Sequence, residues 1–401
     1  MTKRFLYLLI LQIAILSPLM GQQAIEKKIQ TDLILADDGS TIQLEEGTFQ
    51  ISQSLSMDGK KNMVIRGKGI DKTILSFKNQ AGGAEGIKIT NCENIILEDM
   101  TVQDSKGDLI KTMHVKGITF RRIKAEWTGK PSPSNGSYAL YPVLCENVLI
   151  DSCIAIGASD AGIYVGQSKY IEVKNSTAFQ NVAGIEIENS QFAEVHHNKA
   201  YGNTGGILVF DLPDLVQKKG GHVKVYQNEV IENNLANFAP KGNIVARVPK
   251  GTGMLVLATS QVEIFNNKIH QNKTMGVGII SYHMTENKIT DLEYDPYPTA
   301  IEIRDNDFER KAGRVPAKGR FGQMYRFKLK FGRQAPNIIY DGILDPKRLD
   351  SSGEYFPSYR ICIRNNTNQS FANIDAEHDF KNIQRDVSLY DCHLQAFKTL
   401  R

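Results

Sequence analysis

The sequence predicts an all-β chain, a single-stranded right-handed parallel β-helix with a short N-terminal capping helix and loop insertions. Three observations carry that expectation. Gly162-Ile163-Tyr164-Val165, Gly184-Ile185-Glu186-Ile187 and Gly206-Ile207-Leu208-Val209 superpose at a step of 22 residues. Each is followed about ten residues later by a second apolar alternation, such as Ile171-Glu172-Val173. Asn recurs near the turns, at Asn198, Asn228 and Asn267 and again at Asn181, Asn203, Asn233 and Asn272. A period in this range, with two or three short strands per unit, is one coil of a solenoid. Stacked amides then donate to one coil and accept from the next.

The elements follow in order. Lys3 and Arg4 precede an apolar run from Phe5 to Leu16, and Ser17-Pro18 breaks it, so residues 1–21 read as a signal peptide. The run is too short for a membrane span of ~20 residues. The mature chain, 22–401, is expected to be one domain, periplasmic or secreted, with no membrane span after cleavage. Residues 24–35 place apolar side chains at helical spacing, as a cap on the open end of the array requires. Short strands follow from Thr41 to Phe77, and from Gly86 the register is regular. Insertions interrupt it near 127–138, 211–221, 235–251, 284–299 and 311–358. Per-repeat insertions gather on one side and wall a cleft. Ile301-Glu302-Ile303 and Ile361-Cys362-Ile363 recover the coil signature, so the array runs nearly to the C-terminus.

The formal charge is +4, and removal of Lys3 and Arg4 leaves +2, which gives no basis for a nucleic-acid partner. Five cysteines exclude a complete disulfide framework. Cys92 and Cys145 fall on one coil position two coils apart, roughly 9.6 Å at ~4.8 Å per coil and too far for a bridge. The cysteines are therefore expected to be small apolar fillers.

In a strand with one face in the core, alternate residues point outward. With Ile110, Leu140, Ile163, Ile185 and Ile207 pointing in, the outward row is Lys88, Lys111, Tyr141, Tyr164, Glu186 and Leu208. His114, Asp160, Glu188 and Asp211 stand at nearby turns. Lysines would pair with uronate carboxylates, tyrosines would stack on sugar rings or remove a proton, and carboxylates would bind hydroxyls. Tyr164, Lys111 and Tyr141 are the candidate catalytic residues. Lys88, His114, Asp160, Glu186, Glu188 and Asp211 are the candidate substrate-binding residues. A solvated β-face would use the same residue types. The adjacent His196 and His197 are expected to point to opposite sides of a strand end, and no metal set or cofactor is implied. Residues 311–333 hold eight basic side chains, Lys311, Arg314, Lys318, Arg320, Arg326, Lys328, Lys330 and Arg333, and no acid. Within them Tyr325 to Phe331 alternates as an edge strand would, either a contact for an acidic partner or a charged guard against aggregation.

The strands from Thr41 to Phe77, with the coils around Ala158-Ser159-Asp160-Ala161-Gly162-Ile163-Tyr164-Val165-Gly166-Gln167-Ser168, resemble the pectin-lyase-like superfamily. More narrowly they are similar to an exported bacterial family of right-handed parallel β-helix repeat proteins that tend to be encoded beside a cytochrome-like exported partner. The resemblance covers most of the mature chain. It implies contact with polysaccharide, by a lyase or C5-epimerase-like enzyme acting on acidic glycans. The alternative it implies is a non-catalytic carbohydrate-binding or scaffold module working with the exported redox partner. The chain departs from the epimerases of this fold, which carry Asp-Pro-His where it has Asp295-Pro296-Tyr297. It also lacks the Asp trio of the polygalacturonases.

Overall fold

A computed structural model describes residues 23–311, 313–316, 323–395 and 397. The segment read as a signal peptide, and the basic residues Lys318 and Arg320, lie outside them. Two long parallel sheets wind around one core: a leading sheet of eleven strands and a back sheet of nineteen. Successive leading strands, Tyr138–Val143, Ala161–Gly166, Ala183–Glu188 and Gly205–Phe210, pair in parallel one coil apart. The inward side chains Leu140, Ile163, Ile185 and Ile207 are at most 1 % exposed. The 22-residue step therefore does stack rung on rung.

Residues 23–35 are helical and close the N-terminal end as expected. Ile29 and Leu33 enter the core. On the adjoining face of the helix, Gln30 both accepts from the Ser56 N–H and donates to its carbonyl, each at 2.9 Å, while Glu26 accepts from the N–H groups of Ser52 and Gln53. The first leading strand, Gln53–Asp58, thus has its unpaired edge satisfied by helix side chains. No helix among the described residues is long and apolar enough to cross a membrane.

Between residues 146 and 309 one corner of every coil is constant. Between the two back-sheet strands of a coil stand two residues, the first left-handed, as at Asn175, Gln227, Asn266 and Asp305 with φ of 52–55°. From Asn198 onward the second is the amide of the first ladder, in which Asn198, Asn228, Asn267 and Asn306 donate in turn to Asn228, Asn267, Asn306 and Asn366 at 2.9–3.1 Å. Asn181, Asn203, Asn233 and Asn272 form the second ladder, at 3.0–3.1 Å. The insertions spare the constant corner and flank the leading sheet. Loops at 127–137 and 232–251, and the described residues between 310 and 337, precede leading strands, while loops at 211–220, 281–300 and 341–360 follow them. The leading sheet is therefore the floor of a trough walled along both edges, rather than along one.

Three local expectations are corrected. Cys362 and Cys392 are not fillers: they form a disulfide that ties the C-terminal tail to a back-sheet strand, while Cys92, Cys145 and Cys153 are free and buried. His196 and His197 do not diverge. His197 takes the left-handed corner position (φ 55°), which swings its Nδ1 to 2.7 Å from the Nδ1 of His196. Met324–Lys328 is a wound turn rather than part of an edge strand. It buries Tyr325, and Leu329 and Phe331 beyond it are buried as well, against Met275 and Ile339. The exposed Lys328 is paired with Asp379 at 2.5 Å.

Candidate active site on the leading sheet

The predicted outward row is a real row. Lys88 pairs in register with Lys111, Lys111 with Tyr141, Tyr164 with Glu186 and Glu186 with Leu208. Along the axis its chemistry passes from basic to aromatic to acidic to apolar. The row is not a solvated face, however. Tyr164 is 3 % exposed, Glu186 1 %, Asp160 6 %, Glu188 8 % and Asp211 2 %. The cover comes from the 235–251 loop, whose Phe238, Ile244, Val245 and Val248 pack with Tyr164, Ala183 and Leu208.

Tyr138, Tyr141 and Tyr164 form a cluster with ring centroids 4.3–5.0 Å apart. Lys111 lies over the Tyr141 ring at 4.9 Å and 3.8 Å from Glu85. The Tyr164 hydroxyl donates to Glu188 at 2.6 Å. Gly166 makes that reach possible: a Cβ there would sit 2.2 Å from the Tyr164 hydroxyl. Asn243, from the covering loop, donates to Asp160 at 3.0 Å. Tyr294, from the opposite wall, donates to the main-chain carbonyl of Asp211 at 2.6 Å. Lys218 holds Asp291 and Glu293 at 2.8 Å each, joining the 211–221 and 284–299 insertions. Both walls are therefore anchored at the acidic part of the floor.

The electrostatics are those of carboxylates without counter-ions. Among the described residues, Asp160, Glu186, Glu188 and Asp211 form no ion pair, and one oxygen each of Glu186 and Asp211 is buried without a partner. Burial pushes Asp160 up to about 7, with the charge of Glu188 adding to it. Burial likewise pushes Glu188 up to about 7, against the Tyr164 hydrogen bond, and Asp211 up to about 8. Glu186 is raised well above its ordinary value by burial and then by Asp160 and Glu188. Asp108, whose carboxylate accepts from the Tyr138 N–H, rises to about 6 by burial although Lys111 opposes the shift. Carboxyl groups this close share protons as a set. Burial also drives the phenol of Tyr164 well above its ordinary range and that of Tyr141 up to about 12. Tyr164 is thus held as a neutral phenol whose hydroxyl donates to Glu188.

Lys88 and Lys111 mark the basic end, and Tyr141, Tyr164, Asp160, Glu186, Glu188 and Asp211 converge on the floor. His114 stands apart, exposed at a left-handed turn (φ 56°) beyond its strand. Sequence reasoning missed Asp108 and Tyr138. They stand three residues before Lys111 and Tyr141, an odd offset that strict alternation assigns to the inward face, so the outward row did not reach them. Asn243 and Tyr294 come from insertions and carry no periodic signal.

Comparison with known sequences agrees with this architecture. The profile of the right handed beta helix region matches residues 56–216 and 134–293, together more than half of the chain. The chain belongs to the right-handed β-helix family. This β-helix protein is also 24 % identical over 182 residues to the pre-neck appendage proteins of Bacillus phages phi29 and PZA, across 38 % of its own length but only 20 % of theirs. Among solved structures, the A-module of the Azotobacter vinelandii mannuronan C-5 epimerase AlgE4 superposes with a TM-score of 0.51 at 12 % identity, covering 82 % of this chain and 86 % of that one. The N-terminal fragment of bacteriophage phi29 gene product 12 gives 0.50 at 15 % identity, over 86 % and 59 %. At these identities the likeness is one of fold. Among the described residues no group of three or more His, Cys, Asp or Glu is arranged to hold a metal ion.

Proposed function

We propose that this β-helix protein is an acid–base enzyme that modifies a glycan lying along the leading sheet, outside the cytoplasm. The observation that carries the proposal is the pair Asp160 and Glu188, buried without a counter-ion on the floor of a walled trough, where burial raises both to about 7. A carboxyl group that titrates near neutrality serves as acid and as base in one turnover. Elimination or C5-epimerisation needs a base at the carbon beside a uronate carboxylate and a cation that neutralises that carboxylate. Glu188 supplies the first, and the hydroxyl bonded to it on Tyr164 relays the proton. Lys111 supplies the second, with Lys88 on the next rung. Tyr141, with Lys111 over one face of its ring, positions the sugar. Raised carboxyl groups suit this role because protonated Glu186 and Asp211 donate hydrogen bonds without repelling an anionic substrate.

Assays on alginate, pectate and glycosaminoglycan panels, followed by absorbance of unsaturated products and by NMR of the glycan, test the reading. Glu188→Gln is expected to lower turnover by about 10²- to 10⁴-fold, and Lys111→Ala to raise KM. The deep burial of the carboxyl groups favours one second reading, a carbohydrate-binding or scaffold module without turnover, working with an exported redox partner. Silence of the wild-type protein in both assays, with glycan-array binding that Tyr141→Ala and Lys111→Ala abolish, would establish that module in place of the enzyme.

A further inference from the structure

Beyond the acidic rung the trough floor turns apolar within one coil. Glu186 is followed in register by Leu208 and Leu255, and Glu188 by Phe210, Leu257 and Ile280. Over these side chains lies a cavity of about 990 Å³. Phe210, Leu255, Leu257 and Ile280 make its floor. Val248, from the loop that covers the tyrosines, makes one wall, and Met284, from the turn Tyr282–Thr285, the other. Arg247 donates to Asn287 at 2.7 Å and ties these walls together. Phe210 belongs to both regions, since it pairs with Glu188 and lines the cavity. Adjacent rungs of a parallel sheet stand ~4.8 Å apart, so the polar floor and the hydrocarbon-lined space adjoin.

A concave, mainly apolar space of this size takes a small molecule or a chain end, with orientation set by the few polar groups beside it. Arg247, His283 and Gln323 stand at its rim, and one rung away through Phe210 lie the tyrosine and carboxyl side chains already assigned to a sugar. We propose that the natural ligand is an amphiphilic saccharide, its sugar over the tyrosine–carboxyl floor and a hydrocarbon tail in the adjoining cavity. This rests on the glycan reading above and narrows its substrate class. A plain polysaccharide would leave the apolar end of the trough unused. A free fatty acid would leave the sugar-binding end unused.

Calorimetric titration of the full chain with octyl, decyl and dodecyl maltoside below their micellar concentrations, and with maltose and laurate, tests the inference. Affinity is expected to rise by about fourfold per methylene, with maltose far weaker than any of the three maltosides. Dodecyl maltoside should bind more tightly than laurate. Ile280→Gln, at the partly exposed edge of the cavity, should weaken dodecyl maltoside at least tenfold, with its circular dichroism and Tm confirming the fold. Equal affinity for the three maltosides, or unchanged binding by folded Ile280→Gln, overturns the tail site. Laurate binding as tightly as dodecyl maltoside overturns the saccharide head. Turnover on untailed glycans without chain-length dependence sinks this inference and leaves the enzyme standing, whereas chain-length dependence with no turnover does the reverse.

Discussion

Glu98 and Glu302 on the back sheet are as deeply buried as Glu186 and Glu188 on the leading sheet, at 4 % and 1 % against 1 % and 8 % exposure. Their surroundings are opposite. Glu98 accepts from Arg66 at 2.6 Å and has Arg121 and Arg122 within 3.5 Å. Glu302 accepts from Arg364 at 2.9 Å, with Arg304 and His393 beside it. On the leading sheet the cations stop at Lys111, and the carboxyl groups beyond it have none. Both patterns use one device, a side chain repeated once per coil. The back sheet sets Arg and Lys beside its acids and neutralises itself, even where Glu263 and Glu302 stand on adjacent rungs between Lys224, Arg304 and Arg364. The leading sheet places acids in neighbouring positions and roofs them with insertions. A solenoid thus keeps its scaffold and its chemistry on separate faces of the same coils, and unpaired burial marks the chemical one.

The largest expected effect tests the scaffold half. Asn233 donates to the Ala200 carbonyl and to Asn272, and accepts from the main-chain and side-chain N–H groups of Asn203. Asn233→Leu removes all four of these buried hydrogen bonds. Denaturant unfolding should show a loss of about 4 kcal/mol. A loss below ~1 kcal/mol would mean that the ladder does not hold the coils in register.

A somewhat smaller effect tests the chemical half. The folded-state values of Asp108, Asp160, Glu188 and Asp211, about 6, 7, 7 and 8, all lie above ordinary carboxylate values of about 4. The native state then binds more protons than the unfolded chain. Their contribution to stability is fully present below the unfolded values and is lost as pH rises through the folded ones. Stability should therefore fall between about pH 6 and about pH 8 by at least ~1 kcal/mol per pH unit, read as Tm against pH. Asp160→Asn with Glu188→Gln should flatten much of that slope. A slope unchanged in the double variant would place its source elsewhere.

The coil, the ladders and the identity of the outward row were all legible in the sequence, because each is a periodic property of neighbouring coils. Burial of the row was not. It depends on Phe238, Ile244, Val245 and Val248, which lie in an insertion without period. The His196–His197 contact was missed because a left-handed corner breaks the alternation that a continuous strand would keep. The Cys362–Cys392 bridge was missed because Cys392 lies in the tail beyond the last coil, where no coil alignment reaches. Tyr325 to Phe331 satisfies a period of two on paper, yet Tyr325 and Leu329 are four apart and share the buried side of a wound turn as readily.

The finest test of the contrast makes one chemical change on each face. Glu302→Gln removes the charge shared by Arg304 and Arg364. Because those guanidinium groups keep some solvent, the cost should be about 2 kcal/mol rather than that of a fully buried pair. Glu186→Gln replaces a carboxyl group whose proton burial holds more tightly than usual with a neutral group of the same shape. Its stability at neutral pH should stay within about 0.5 kcal/mol of wild type. Parallel denaturant titrations of the two variants decide the matter. Equal losses would show that Glu186 is ionised and has a counter-charge after all. The acidic rung would then be scaffold like the back sheet, and the acid–base reading of Asp160 and Glu188 would lose its electrostatic basis.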